Sequence, residues 1–190
     1  IGGGRWDAMA LREIVRMGHP VLRAPAEPVP ASAMRSTAFA RLIDDMVETM
    51  RAADGVGLAA PQVGIGWRLF VYEAAGTGSA AIPLRVAVNP VLEPEPGDLE
   101  DDWEGCLSIP DLRGLVPRHP AVRLRALDLH GAPYERRVEG FEARIVQHEN
   151  DHLDGVLFLD RMRDFRSLAF LDEWHQLLAG AASGREERPE

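Results

Sequence analysis

Cysteine is almost absent from this sequence. The 190 residues contain one, Cys106, so no disulfide can form within the chain. A lone thiol with histidines elsewhere suits a reducing cytosol and a ligand or nucleophile role, so a cytoplasmic protein is expected. Long apolar runs are missing as well, and none approaches the roughly 20 residues of a membrane span. The opening residues, from Ile1 to Ala8, lack the apolar core of a secretory signal. Residues 1–10 read as a disordered leader or a cloning remnant, with Met9 a plausible natural start. No basic cluster occurs and the net charge is −9, which argues against direct nucleic-acid binding through phosphates. What remains is ordinary for a globular protein, with 46% hydrophobic and 27% charged residues. Residues 11–180 read as a single domain and residues 181–190 as a disordered tail.

Along the chain, Leu11–Arg16 alternates weakly, and the prolines at 20, 25, 28 and 30 predict an extended, irregular segment. Phe39, Leu42, Ile43, Met46, Val47 and Met50 then recur at three and four, predicting a helix capped by Ser36 or Thr37 and ended by Gly55. Gly55–Gly64 is dense in glycine and alanine and lacks the Gly-Lys-Ser/Thr ending of a phosphate loop, which predicts a helix-to-strand turn. Strands are predicted at 67–73, 85–89, 113–118, 121–128 and 134–138, with a mobile loop at 74–81 and a hairpin turn at His130-Gly131. The acidic stretch 93–102 reads as a solvated connection and 104–110 as a small-residue turn. A last amphipathic helix is predicted over Phe165–Leu178. Strands in runs with few helices give an α+β fold. Short antiparallel or mixed sheets pack around a central metal-binding helix, with amphipathic helices toward both ends.

That central helix carries Gln147-His148-Glu149-Asn150-Asp151-His152, an H-E-x-x-H pattern. At about 100° per residue, His148, Glu149 and His152 share one face within a turn. Two imidazoles there suit a metal, and the carboxylate can carry the proton of an attacking water. Phe141 and Ile145 lie on the same stripe, where they either wall a space beside the metal or pack in the core. Arg144 falls at the margin of that space. A tetrahedral catalytic site needs a third protein ligand, for which Cys106 is the candidate. A thiol nucleophile paired with a histidine is the other use of the same residues.

Gly55-Val56-Gly57-Leu58-Ala59-Ala60-Pro61-Gln62, Glu104-Gly105-Cys106-Leu107-Ser108 and Gln147–His152 together resemble the three signature motifs of peptide deformylases, in the family's order. The similarity runs from about Leu11 to Asp164, and Trp103-Glu104-Gly105-Cys106 is similar to a bacterial-type branch. Arg113–Arg118 resembles the strand that follows the cysteine motif. The resemblance implies hydrolysis of the formyl group from N-formylmethionyl nascent peptides, at or near the ribosome exit. It implies Fe(II) as cofactor, replaceable by Zn, Ni or Co in preparations. Carried over by position, Cys106, His148 and His152 are the metal ligands and Glu149 is the general base and acid. Gln62 and the Leu107 N–H hold the formyl oxygen. The substrate backbone is expected to run along Gly55, Val56 and Gly57, with Phe141 and Ile145 around an apolar methionine pocket and Arg113 also contacting substrate. Sequence beyond the first residue is expected to matter little. A zincin-type peptidase and a catalytically silent binding protein of the same fold remain alternatives.

Overall fold

A computed structural model of the chain describes residues 10–76 and 81–183, the last three by backbone alone. Each helix and strand forms where apolar spacing lets it bury one face. Helix α1 is a single turn, Ala31–Met34. Helix α2, Thr37–Ala52, starts where Ser36 Oγ accepts the Phe39 N–H at 3.1 Å and ends at Ala53. Its predicted stripe is buried throughout. Strand β1 is Gly57–Ala59, followed by one 3-10 turn at Ala60–Val63. Strands β2 (Leu69–Ala74), β3 (Ile82–Pro94), β4 (Glu100–Cys106), β5 (Ile109–Arg118), β6 (Ala121–Leu127) and β7 (Pro133–Glu139) follow. Then come α3 (Gly140–Leu153), α4 (Phe158–Arg161), β8 (Ala169–Phe170) and α5 (Leu171–Ser183).

Two sheets result, one in the order β1-β2-β3-β6-β7 and one in the order β4-β5-β8, with every ladder antiparallel. The five-stranded sheet is covered on both faces, and β2 shows why. Its residues are buried on both sides. Leu69 and Val71 join the α2 cluster of Phe39, Met46 and Met50, whereas Phe70 and Tyr72 join the α3 cluster of Ile145, Val146 and Leu153. Alternating side chains thus serve two cores. The smaller sheet turns Cys106, Ile109 and Val116 inward, against Leu157 and Phe158 at α4. Helix α3 stops where Gly155 takes φ +72°, a left-handed turn in which Val156 N–H reaches the Asp151 carbonyl at 2.9 Å. A Cβ at Gly155 would sit 2.7 Å from the Arg23 carbonyl oxygen, so glycine is required twice over.

Several expectations need correction. The acidic stretch 93–102 is not a solvated connection throughout: β3 runs to Pro94 and β4 starts at Glu100. The turn expected over 104–110 shrinks to Leu107-Ser108, because Glu104 and Cys106 pair in register with Gly114 and Ile109. The last helix starts at Leu171, not Phe165, since β8 first pairs with β5. It continues to Ser183, so three residues of the expected tail are helical. The rest of that tail, residues 77–80 of the expected mobile loop, and residues 1–9 of the expected leader lie outside the described residues.

Candidate active site

Three elements converge on one cleft of about 460 Å³. Helix α3 brings His148 and Glu149, the end of β4 brings Cys106, and the 3-10 turn brings Gln62. Leu107, Gly55, Val56, Gly57, Phe141, Ile145 and Arg113, all singled out in the sequence, line the same cleft. His152 is buried, one turn on from His148. The ligand atoms of Cys106, His148 and His152 lie within 4.8 Å of one another, and Cys106 Sγ is 3.2 Å from His152 Nε2.

The polar atoms here are held from behind. His148 Nδ1 meets Glu104 Oε2 at 2.8 Å, which leaves its Nε2 for the cleft. Glu104 also accepts two bonds from Arg118, at 2.9 and 3.0 Å, and one from Arg144 at 2.9 Å. Gln62 Oε1 accepts the Ala59 N–H at 2.8 Å, which turns its amide nitrogen toward Ser108 Oγ (3.3 Å) and Cys106 Sγ (3.5 Å). Val15 N–H donates to the Gln62 carbonyl and Met17 N–H to the Ser108 carbonyl, so the N-terminal segment ties both loops down.

Burial pushes the Glu149 carboxyl up to about 7, only partly offset by the charge of His148. Its Oε2 is buried and has no hydrogen-bond partner among the described residues, as is true of His152 Nδ1. Burial also raises Glu104, but the bonds from His148 and Arg118 outweigh it and hold Glu104 well below the usual carboxylate range. Burial lowers His148, yet Cys106 and Glu104 carry it well above the ordinary imidazole value. Burial and then the His148 charge push His152 well below it.

One thiol and two imidazoles on buried, rigid elements fit a divalent transition metal, and a three-ligand set leaves a position for water or substrate. The unpartnered Glu149 oxygen beside them fits a proton carrier serving that position.

The site also corrects the sequence reading. Asp151, which the sequence reading left without a role, is buried between Arg118 and Arg161. Arg144 lines the cleft, but its guanidinium is taken up by Glu104 and the carbonyls of Val116 and Glu100. Phe141 lines the cleft yet is 55% exposed, so it is no core residue, whereas Ile145 is buried. Glu104, Arg118 and Ser108 carry support roles that the sequence reading did not assign. A carboxylate two residues before the lone cysteine was the available signal for Glu104.

Residues 11–167 match the family described as polypeptide deformylase. Peptide deformylase 2 of Pseudomonas putida is 43% identical over 166 residues, covering 85% of this chain and 93% of that protein. Peptide deformylase 1 of Prochlorococcus marinus is 45% identical over 170 residues, covering 87% and 88%. A Met-Ala-Ser-bound class I type b peptide deformylase from Acinetobacter baumannii shares the fold with a TM-score of 0.76 at 37% identity, covering 81% of this chain and 99% of that one. The actinonin complex of a Synechococcus elongatus peptide deformylase gives 0.75 at 38% identity, covering 93% and 90%. Motifs, cleft geometry and relatives agree over most of the length, and the chain belongs to the polypeptide deformylase family.

Proposed function

We propose that this chain hydrolyses the formyl group from the N-terminal formylmethionine of newly synthesised proteins and releases formate. The observation that carries the reading is Glu149, a buried carboxylate whose Oε2 has no hydrogen-bond partner among the described residues, next to the Cys106–His148–His152 triad and the Gln62 amide. Cys106, His148 and His152 would hold the metal, with Fe(II) in the cell and Zn, Ni or Co able to take its place. The bound metal would polarise the formyl carbonyl and make water nucleophilic near neutral pH.

The remaining steps belong to the chain's own groups. Glu149 takes the proton of the attacking water and returns it to the leaving amine, for which a carboxyl poised near neutrality is well placed. Gln62, oriented by the Ala59 N–H, and the Leu107 N–H donate to the oxygen on which charge develops. β1 ends the five-stranded sheet, so a peptide can lie extended along Gly55, Val56 and Gly57. Phe141 and Ile145 wall an apolar space for an uncharged, unbranched thioether, and Arg113 stands at its rim. The zincin-type alternative takes a carboxylate or histidine as third ligand, and Cys106 stands in that place here. The catalytic unit is one domain over 11–180, working in the cytoplasm where chains leave the ribosome.

Formate release from formyl-Met-Ala-Ser, compared with acetate release from acetyl-Met-Ala-Ser, tests this on metal-loaded protein. Rapid turnover of the formyl peptide alone is expected. Equal turnover of both, or cleavage of the peptide bonds, would overturn the reading.

A further inference from the structure

Helix α5 lies beyond the family match, which ends at residue 167, yet it reaches the active-site cleft. The short β8 adds to β5 through the pairs Leu112↔Phe170 and Arg113↔Ala169. That pairing sets Leu171, the first residue of α5, beside the cleft, which it lines together with Trp103, Pro110 and Arg113. Trp174, one turn further, meets the Trp103 ring edge-on with centroids 6.0 Å apart. The Arg113 guanidinium lies over the Trp174 ring, 5.8 Å from its centroid. Arg113 also covers Gly105, where a Cβ would come within 2.1 Å of the guanidinium. A stack therefore runs from α5 through Arg113 to the residue next to Cys106. A guanidinium held on an indole face is fixed and weakly hydrated.

The surfaces offered to a ligand here are largely apolar. Leu171 and Trp103 are half-buried, and Phe141 on α3 is mostly exposed. The charged residues lining the cleft are of both signs, Arg113 among them with Asp54 and Asp111, and Arg144 is taken up by Glu104. Leu171, the residue that α5 adds to this lining, carries no charge. An extended peptide advances about 3.3 Å per residue. A chain starting at the ligand triad would thus bring a side chain after the methionine toward the β5–β8 end.

We propose that α5 is a further wall of the substrate cleft, on which Leu171, steadied by the Trp103–Trp174–Arg113 stack, selects an apolar or aromatic side chain in the residues that follow the methionine. The inference rests on the deformylase reading above. It replaces the expectation that sequence beyond the first residue matters little.

The test compares kcat/KM for formate release by metal-loaded protein from formyl-Met-Phe-Ser, formyl-Met-Glu-Ser and formyl-Met-amide, which has no following residue. The Phe peptide should exceed the Glu peptide by about fivefold or more, the scale of partial burial of one apolar side chain. Leu171→Glu should abolish or invert that ratio, and Leu171→Ala should reduce it. Both variants should lose more on formyl-Met-Phe-Ser than on formyl-Met-amide. Trp174→Ala, which frees Arg113, should raise KM for the tripeptides more than it lowers kcat. Equal losses on all three compounds would mean α5 only stabilises the fold, and that result or an unchanged ratio overturns the proposal. If the unsubstituted protein releases no formate from any of them, the deformylase reading itself fails and this inference falls with it.

Discussion

The Glu149 carboxylate occupies the space that a side chain on Gly57 would need: a Cβ there would sit 2.3 Å from Oε1 and 2.7 Å from the carboxyl carbon. The glycine of the edge strand and the Glu149 carboxylate of the helix are therefore one fitted pair. Gly57→Ala must displace the carboxylate, whose atoms are the three nearest to that Cβ. We expect kcat to fall by about a hundredfold, as displacing a reacting group by about an ångström can do, with metal content unchanged. Steady-state kinetics alongside metal analysis checks this, and near-normal kcat would mean Glu149 works from elsewhere.

Glu104 is expected to act through His148. Glu104→Gln removes the charge that orients the Nδ1 side of that ring and leaves Arg118 and Arg144 short of a buried carboxylate. Loss of such a partner typically weakens metal affinity by about ten- to a hundredfold. Breaking a buried ion pair from one side typically costs about 3–5 kcal/mol. Metal titration and urea unfolding read the two effects separately. Unchanged metal affinity in a destabilised variant would make Glu104 a purely structural residue.

The same residue sets an acid limit on the metal-free fold. The pKa of Glu104 is depressed on folding, so the folded state binds fewer protons than the unfolded chain. Its contribution is fully present above the ordinary value of 4.5 and is lost as pH falls below that toward the folded pKa. Urea midpoints between pH 3 and 7 should therefore decline on the acid side. The decline should be shallower in Glu104→Gln, and parallel profiles would contradict the assignment.

Metal binding should release protons. Cys106 and Glu104 push the His148 pKa above the ordinary imidazole value, and a ligating imidazole must be neutral. At pH 7, calorimetric titration with a divalent ion in buffers of different ionisation enthalpy should show at least about one proton released per ion. Enthalpies independent of the buffer would mean that His148 is already neutral.

The proposed ligands His148 and His152 and the proposed proton carrier Glu149 were legible because they are local, one helical turn holding all three. Helix α2 was legible for the same reason, its apolar residues recurring at three and four along one face. The supports were not, because their partners are distant. Glu104 is buried against Arg118 and Arg144, and Asp151 against Arg118 and Arg161, pairings that no local spacing announces. Read locally, these carboxylates belong to solvent, which is why the start of β4 was taken for a connection. Helix α5 began late because Phe170 is spent on a ladder with Leu112, a tertiary pairing that overrides the apolar run before it.

The most direct test of the proposed site compares Glu149→Ala with Cys106→Ala, measuring metal content after dialysis and formate release from formyl-Met-Ala-Ser on the same samples. Glu149→Ala should keep its metal and lose about a hundredfold or more in kcat. Cys106→Ala should stay folded, lose most of its metal and lose activity with it. A Cys106→Ala protein that retains stoichiometric metal and turns over, or a Glu149→Ala protein that turns over normally, would contradict the assignment of chemistry to this cluster.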